Sequence, residues 1–221
     1  MIIVTGGAGF IGTNLVRSLI ESDKQILIVE ELDRYTKKFE NIKNLEILDC
    51  LDHNIFLKDL HNGKYVNKID QIFHLGACSK TTEPDRDYIM DVNLNYSKKL
   101  LEYSANNNID MIYASSASVY GDGTIFKENS DNESSLNHYS ESKLLFDNHV
   151  RENITKIRSQ IVGMRYFNVY GPYEQHKEVM SSVAYHFYNQ FKQHGMLKLF
   201  RGSHGYDDGE QRRDFVYVKD T

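Results

Sequence analysis

The chain has 221 residues, of which 40% are apolar and only two are proline, so it is long enough and apolar enough to bury the core of a substantial globular domain. A formal net charge of −5 provides no basic footprint for nucleic acid or an anionic membrane, and no apolar run approaches the ~20 residues of a membrane span. Two cysteines, Cys50 and Cys78, are too few for a disulfide framework, and the nine histidines form no close metal-binding pair. The expectation is a cytoplasmic α/β protein with two buried free thiols, no metal, no nucleic acid and no membrane.

The first elements carry the clearest signal. An apolar run over Met1 to Thr5 reads as a buried strand, and Leu15, Val16, Leu19 and Ile20 follow at helical spacing. Between them lies Gly6-Gly7-Ala8-Gly9-Phe10-Ile11-Gly12. Gly6 permits a tight turn, Gly9 lets a pyrophosphate approach the backbone, and Gly12 lets the helix lie close to the strand. Phosphates would then sit at the positive helix end. A second apolar run, Ile26 to Val29, ends on Glu30-Glu31, roughly 20 residues on, where a ribose-binding carboxylate belongs. The polar stretch 33–44 brings Arg34, Lys37 and Lys38. Arg34 reads as a surface residue, and the two lysines are candidates for the ribose site.

Further along, Leu45 to Cys50 reads as a third strand and Ile69 to Leu75 as a fourth, followed by small residues, Gly76-Ala77-Cys78-Ser79, that allow close approach to a cofactor. Residues 84–107 have the apolar spacing of one long helix, with Tyr88, Val92, Tyr96, Leu100 and Tyr103, and Asp110 to Ser115 reads as a strand. Strands alternating with helices imply parallel βαβ units and a Rossmann-type doubly wound sheet, with functional residues just after each strand. There the chain carries Ser115-Ser116, and later Tyr139-Ser140-Glu141-Ser142-Lys143 at the head of a helix. Tyr139 and Lys143, at i and i+4, share a face.

The GGAGFIG turn, ASSASVYG, YSESK and GMRYFNVYGP together resemble the extended short-chain dehydrogenase/reductase family of nucleotide-sugar enzymes, over essentially the whole chain. HLGACSKTTE, RYFNVYGPYEQHK, MSSVAYHF and RRDFVYVKD are similar, more narrowly, to the ADP-heptose 6-epimerases within it. The resemblance implies catalytic roles for Ser116, Tyr139 and Lys143, with Lys177 as a second acid/base residue. It implies cofactor contacts at Phe10, Ile11, Leu75, Gly76, Ala77, Cys78, Ser79, Lys143 and Val169, and at Asn93 beside Val92, which stands where the epimerases have Asn. It implies substrate contacts at Ser116, Asn168, His186, Phe200, Arg201, Gly202, Ser203 and Arg213. Val179 and His53 depart from a substrate-contacting Ser and a cofactor-contacting Lys, and residues 205–211 carry extra acids.

The implied cofactor is NADP, although Glu30-Glu31 suits the free 2′-hydroxyl of NAD. The implied partner is a nucleotide-diphosphate-sugar substrate, and the implied assembly is a homo-oligomer. Residues 1–167 are expected to form the dinucleotide-binding domain, and 168–221 the beginning of a substrate-binding region that continues further in the resembled family. Ala117 and Ser118 stand where a dehydratase has an acidic pair, and a non-catalytic dinucleotide-binding module would have no use for the Ser, Tyr and Lys set.

Overall fold

In the computed structural model, described here for residues 1–31, 37–203 and 205–221, six parallel strands form one sheet in the order β3-β2-β1-β4-β5-β6. They are β1 (Ile2–Thr5), β2 (Ile26–Glu30), β3 (Asp49–Asp52), β4 (Gln71–His74), β5 (Asp110–Ser116) and β6 (Ile161–Tyr166). Side chains alternate across the pleat. Ile3, Leu27 and Val29 enter one core with Phe56, Ile72, Leu100, Met111 and Phe146. Ile2, Val4, Ile26 and Ile28 enter a second core on the opposite face with Ala8, Val16 and Ile42. Helices α2 (His53–His61), α4 (Tyr96–Asn107) and α5 (His138–Asn153) supply the first core, and α1 (Phe10–Ile20) supplies the second. Burial on both faces explains why the strand runs read as continuously apolar.

The strand order reverses between β1 and β4, and a doubly wound sheet takes its ligand at the carboxyl ends beside such a reversal. There the turn after β1 meets the turn after β4. Gly6 has φ +71°, and a Cβ on it would stand 2.7 Å from the Gly76 amide nitrogen. A Cβ on Gly12 would overlap the Gly6 carbonyl. Only glycine lets the two turns and α1 close up.

Two expected elements change. The third strand is Asp49–Asp52, where the chain comes into register with Leu27 to Glu30. Leu45 and Ile47 pack against the core without pairing. The long helix over 84–107 is broken into α3 (Arg86–Ile89), a π-helical turn (Met90–Asn95) and α4. The wider turn carries Asn93 inward to 1% exposure, and Asn93 Nδ2 donates to the Cys78 carbonyl (3.1 Å) and to Ser142 Oγ (3.1 Å). Its Oδ1 accepts from the Cys78 amide at 2.8 Å. The cysteines are half-buried free thiols and not core residues, Cys50 within β3 and Cys78 after β4.

Beyond Tyr166 the chain leaves the large sheet. β7 (Asn168–Tyr170) pairs in parallel with β8 (Phe215–Tyr217), and α6 (Val183–His194) lies between them in sequence. No helix among the described residues is long and apolar enough to cross a membrane. No group of three or more His, Cys, Asp or Glu among them is placed to hold a metal ion. Arg34 lies outside the described residues.

Candidate active site

A cleft of about 1380 Å³ runs along the carboxyl ends of the strands. It is walled by the glycine turn, the segment after β4, the end of β5, the head of α5, and residues of 166–187 and 199–215. The first turn of α1 presents its amides there without a side-chain cap or an acidic residue, which fits a pyrophosphate on a helix end. With Gly6, Gly9, Phe10, Ile11 and Gly12 in the wall, the residues fit a dinucleotide.

Asn137 places the first turn of α5. Its Oδ1 accepts from the Ser140 amide at 2.9 Å, and Ser140 Oγ accepts from the Asn137 amide at 3.1 Å, a reciprocal cap that starts the helix one residue before Tyr139. Lys143, one turn on, is 7% exposed; its Nζ donates to the Ala114 carbonyl at 2.7 Å and lies 5.9 Å from the Tyr139 ring centroid. Burial lowers the Lys143 ammonium to about 8, with Asp147 opposing the shift. Ser116 ends β5, and its Oγ accepts from the amide (3.2 Å) and hydroxyl (2.9 Å) of Ser118. Burial raises the Tyr139 phenol above its ordinary value, while a hydrogen bond with Ser116 works the other way.

Lys177 lines the same cleft from a 3₁₀ segment (Gln175–Met180), with Nζ 5.5 Å from the centroid of the Phe10 ring. Burial lowers its ammonium and Glu174 opposes. Leu75, Gly76, Ala77, Ser79, Asn168, Val169, Phe200, Arg201, Ser203 and Arg213 also line the wall.

The remaining candidates lie elsewhere. Glu31 and Cys78 line a smaller pocket with His53 and Tyr96 that shares Gly6, Glu30, Lys38, Gly76 and Ala77 with the cleft. Lys37 pairs with Glu178 at 3.3 Å at the surface. His186 falls outside the wall, which takes Ser182, Val183, Ala184 and Phe187 from its neighbourhood. Gly202 falls outside it as well; a Cβ there would stand 2.7 Å from the Tyr206 carbonyl, and its amide donates to Asp208 Oδ1 at 2.6 Å. Part of the extra acidity of 205–211 thus closes the loop on itself. Among the described residues, no carboxylate of 207–210 pairs with Arg212 or Arg213. Arg213 Nη1 donates to the Arg212 carbonyl at 2.7 Å.

Glu30 is already engaged: Oε1 accepts from the Ala8 amide at 3.0 Å and Oε2 pairs with Lys38 Nζ at 2.6 Å, with both side chains largely buried. Sequence reading missed the support beneath the site. Asp147 accepts from Tyr113 Oη (3.0 Å), Ser115 Oγ (2.8 Å) and Arg165 Nη2 (3.3 Å), and Arg165 also bonds Glu133 and Tyr120 Oη (3.0 Å). The available signal was a carboxylate four residues after Lys143. A second support is His74, 3% exposed, between Thr5 Oγ1 (2.7 Å) and Ser97 Oγ (2.7 Å). Ser97 donates onward to the Asn93 carbonyl, so His74 Nε2 carries the proton and donates to Ser97. Burial holds that imidazole neutral down to about 3.

Comparison with known proteins places this geometry. The profile of the NAD dependent epimerase/dehydratase family matches residues 2–221. The chain is similar to the ADP-L-glycero-D-manno-heptose-6-epimerase of Thiobacillus denitrificans, with 49% identity over 99% of this chain and 66% of the relative. The protein of the same name from Alkalilimnicola ehrlichii is 47% identical over 100% of this chain and 69% of its own length. The crystal structure of the Helicobacter pylori ADP-L-glycero-D-manno-heptose-6-epimerase superposes with a TM-score of 0.85 at 33% identity, over 99% of this chain and 69% of that one. The chain thus spans about two thirds of the length of these relatives. With the glycine turn and the Ser116, Tyr139 and Lys143 set in one cleft, the chain belongs to the NAD dependent epimerase/dehydratase family.

Proposed function

We propose that this protein is a nucleotide-sugar epimerase that interconverts the 6-epimers of an ADP-glycero-manno-heptose. The observation that carries the reading is that Tyr139 and Lys177 line one cleft together with the glycine turn, Lys177 over the Phe10 ring of that turn. The reacting carbon bears hydrogen and hydroxyl but no acidifying carbonyl, so proton removal from carbon cannot begin the reaction. When bound, an oxidised nicotinamide would supply a reversible hydride acceptor and a positive charge in the cleft that Tyr139 lines. Tyr139 takes the hydroxyl proton, Ser116 hydrogen-bonds the same oxygen, and Lys143 supports the phenolate. Once the sugar carbonyl has turned over, its oxygen faces away from Tyr139, and Lys177 exchanges the proton there. The net redox change is zero. The test is to incubate the purified protein with one epimer and resolve the products. Interconversion without net consumption of dinucleotide supports the reading, and no interconversion of ADP-heptose overturns it.

The cofactor we assign is NADP. Lys38 neutralises Glu30, and Glu30 is turned onto the Ala8 amide, so a 2′-phosphate would meet a paired carboxylate and a cation. Replacing Lys38 with Met is expected to weaken NADP by about tenfold relative to NAD, the worth of one hydrogen bond to a charged group. Parallel titrations check it. NAD binding more tightly than NADP to the unaltered protein would reverse the assignment.

The substrate diphosphate is placed near Arg213 and Arg201, whose planar guanidinium groups suit phosphate oxygens. Arg213→Ala is expected to raise KM for the sugar nucleotide by ~10-fold or more while dinucleotide affinity holds, because only one charge-assisted contact is lost. Equal losses of both affinities would indicate general destabilisation. The division into a dinucleotide-binding domain, 1–167, and a substrate-binding region from 168 belongs to the same proposal, as do the other candidate contacts named from the sequence. So does a place in the cytoplasm, where two free cysteines stay reduced and the product would feed lipopolysaccharide core assembly. Exposed Tyr188 and Phe191 on α6 support a homo-oligomer.

A further inference from the structure

The segment that carries Lys177 is held in an unfavourable backbone conformation. Tyr173 and Glu178, on either side of Lys177, have φ of +73° and +49°, a region that residues with side chains rarely occupy unless their surroundings impose it. Two buried side chains hold it: Glu174, 2% exposed, accepts from the Gly171 amide (3.2 Å), the Ser182 amide (2.6 Å) and Ser182 Oγ (2.9 Å) and closes the segment on itself, and Asn41 joins it to the glycine turn. Asn41 is 3% exposed and sits at the end of the 3₁₀ turn (Lys37–Asn41) that also carries Lys38. Its Nδ2 lies within reach of His176 Nδ1 (3.2 Å), the Tyr173 carbonyl (3.4 Å) and the Ala8 carbonyl (3.5 Å). Its Oδ1 accepts from Gln175 Nε2 at 3.1 Å.

The carboxamide therefore ties three residues of the Lys177 segment to Ala8 in the middle of the glycine turn, whose amide is held in turn by Glu30. Arg17 reinforces the joint. Its Nη2 donates to the Asn41 carbonyl at 3.1 Å, and its guanidinium lies 4.5 Å over the Tyr173 ring. Asn14 Nδ2 adds a bond to the Pro172 carbonyl at 3.0 Å. The exposed Lys37–Glu178 pair contributes little.

We propose that Asn41 is the positioning residue for Lys177: it couples the dinucleotide turn to the second acid/base group, so that Lys177 stands at reacting distance only while its segment is latched to Ala8. This rests on the reading of Lys177 as the second acid/base residue. Asn41 touches neither substrate nor the reacting atoms, and acts by holding the Tyr173 carbonyl and the Gln175 and His176 side chains.

The test is a double-mutant cycle read by two assays, 6-epimer interconversion and dismutation of an ADP-sugar bearing an aldehyde at the reacting carbon. Dismutation oxidises one molecule and reduces another, and one working acid/base residue sustains part of it. Asn41→Ala is expected to lower kcat for interconversion by ~10–100-fold, as a misplacement of about 1 Å does, and to lower dismutation no further than Lys177→Met does. Added to Lys177→Met it costs nothing more, because both changes remove the same function. Gln175→Ala, which trims the latch from the other side and leaves Asn41 in place, gives the same pattern with a smaller loss should Asn41→Ala fold poorly.

Full additivity of Asn41→Ala with Lys177→Met, an unchanged interconversion rate, or dismutation falling below that of Lys177→Met would each overturn the inference while leaving the Lys177 reading intact. Interconversion at the unaltered rate in Lys177→Met alone would remove both.

Discussion

Tyr139→Phe and Lys177→Met are each expected to lower 6-epimer interconversion by ~10²–10⁴-fold, the usual cost of losing a positioned proton-transfer group. Dinucleotide affinity should hardly move. Neither side chain takes part in the glycine turn, and Phe preserves the shape of the half-buried Tyr139 ring. A protein altered at both positions should lack dismutation activity as well, since no group then remains to exchange a proton with either face of the carbonyl. Product analysis of the two single variants and the double variant separates these outcomes. Interconversion at the unaltered rate in Lys177→Met would reduce the mechanism to Ser116, Tyr139 and Lys143 alone.

Asp147→Ala should lower the free energy of unfolding by about 3–5 kcal/mol, because it leaves the Arg165 guanidinium partly unpaired where water cannot replace the lost carboxylate. Asp147 and Arg165 side chains are only 6% and 12% exposed, and Tyr113 and Ser115 would lose their acceptor at the same time. Against a total of roughly 5–15 kcal/mol for a domain, that is a large fraction. Urea unfolding of the two proteins checks it, and an unchanged midpoint would show that Glu133 alone can hold Arg165.

The milder Asp147→Asn keeps the shape and reports on the site. Burial lowers Lys143 to about 8 and Asp147 opposes that shift, so the ammonium is charged below that pH and loses its proton as pH rises through it. Removing the Asp147 charge lowers Lys143 further. The alkaline fall in kcat should therefore move to lower pH, and a profile with an unmoved alkaline limb would exclude Lys143 as its source.

Much of the fold could be read from the residues because local patterns there agree with the tertiary outcome. Apolar runs buried on both faces, a glycine turn before an amphipathic helix, and strands alternating with helices leave little choice but a parallel doubly wound sheet. The misreadings have particular causes. Leu45 and Ile47 are apolar because they pack on a core, and strand pairing begins only at Asp49, where the hydrogen-bond register with β2 allows it. The 84–107 helix has a regular apolar spacing, yet a π-helical turn rotates Asn93 inward to clamp Cys78 and Ser142, contacts 15 and 49 residues away that no local period encodes.

The site divides the same way. Residues whose role depends on a spacing within one element, such as Gly6, Gly9 and Gly12 on a turn and Tyr139 and Lys143 on one helix face, are determined by the sequence itself, because local backbone geometry puts them together. Glu30 was legible as an acid at the right distance, but only the packed turn shows it committed to the Ala8 amide and Lys38. The Asp147, Arg165 and Glu133 network and the Asn41 latch join segments from 18 to 135 residues apart in sequence, and a hydrogen bond of that span leaves no periodic trace. Long-range polar contacts in a dry interior are decided by tertiary packing, and in this protein they hold Lys143 and Lys177 toward one cleft.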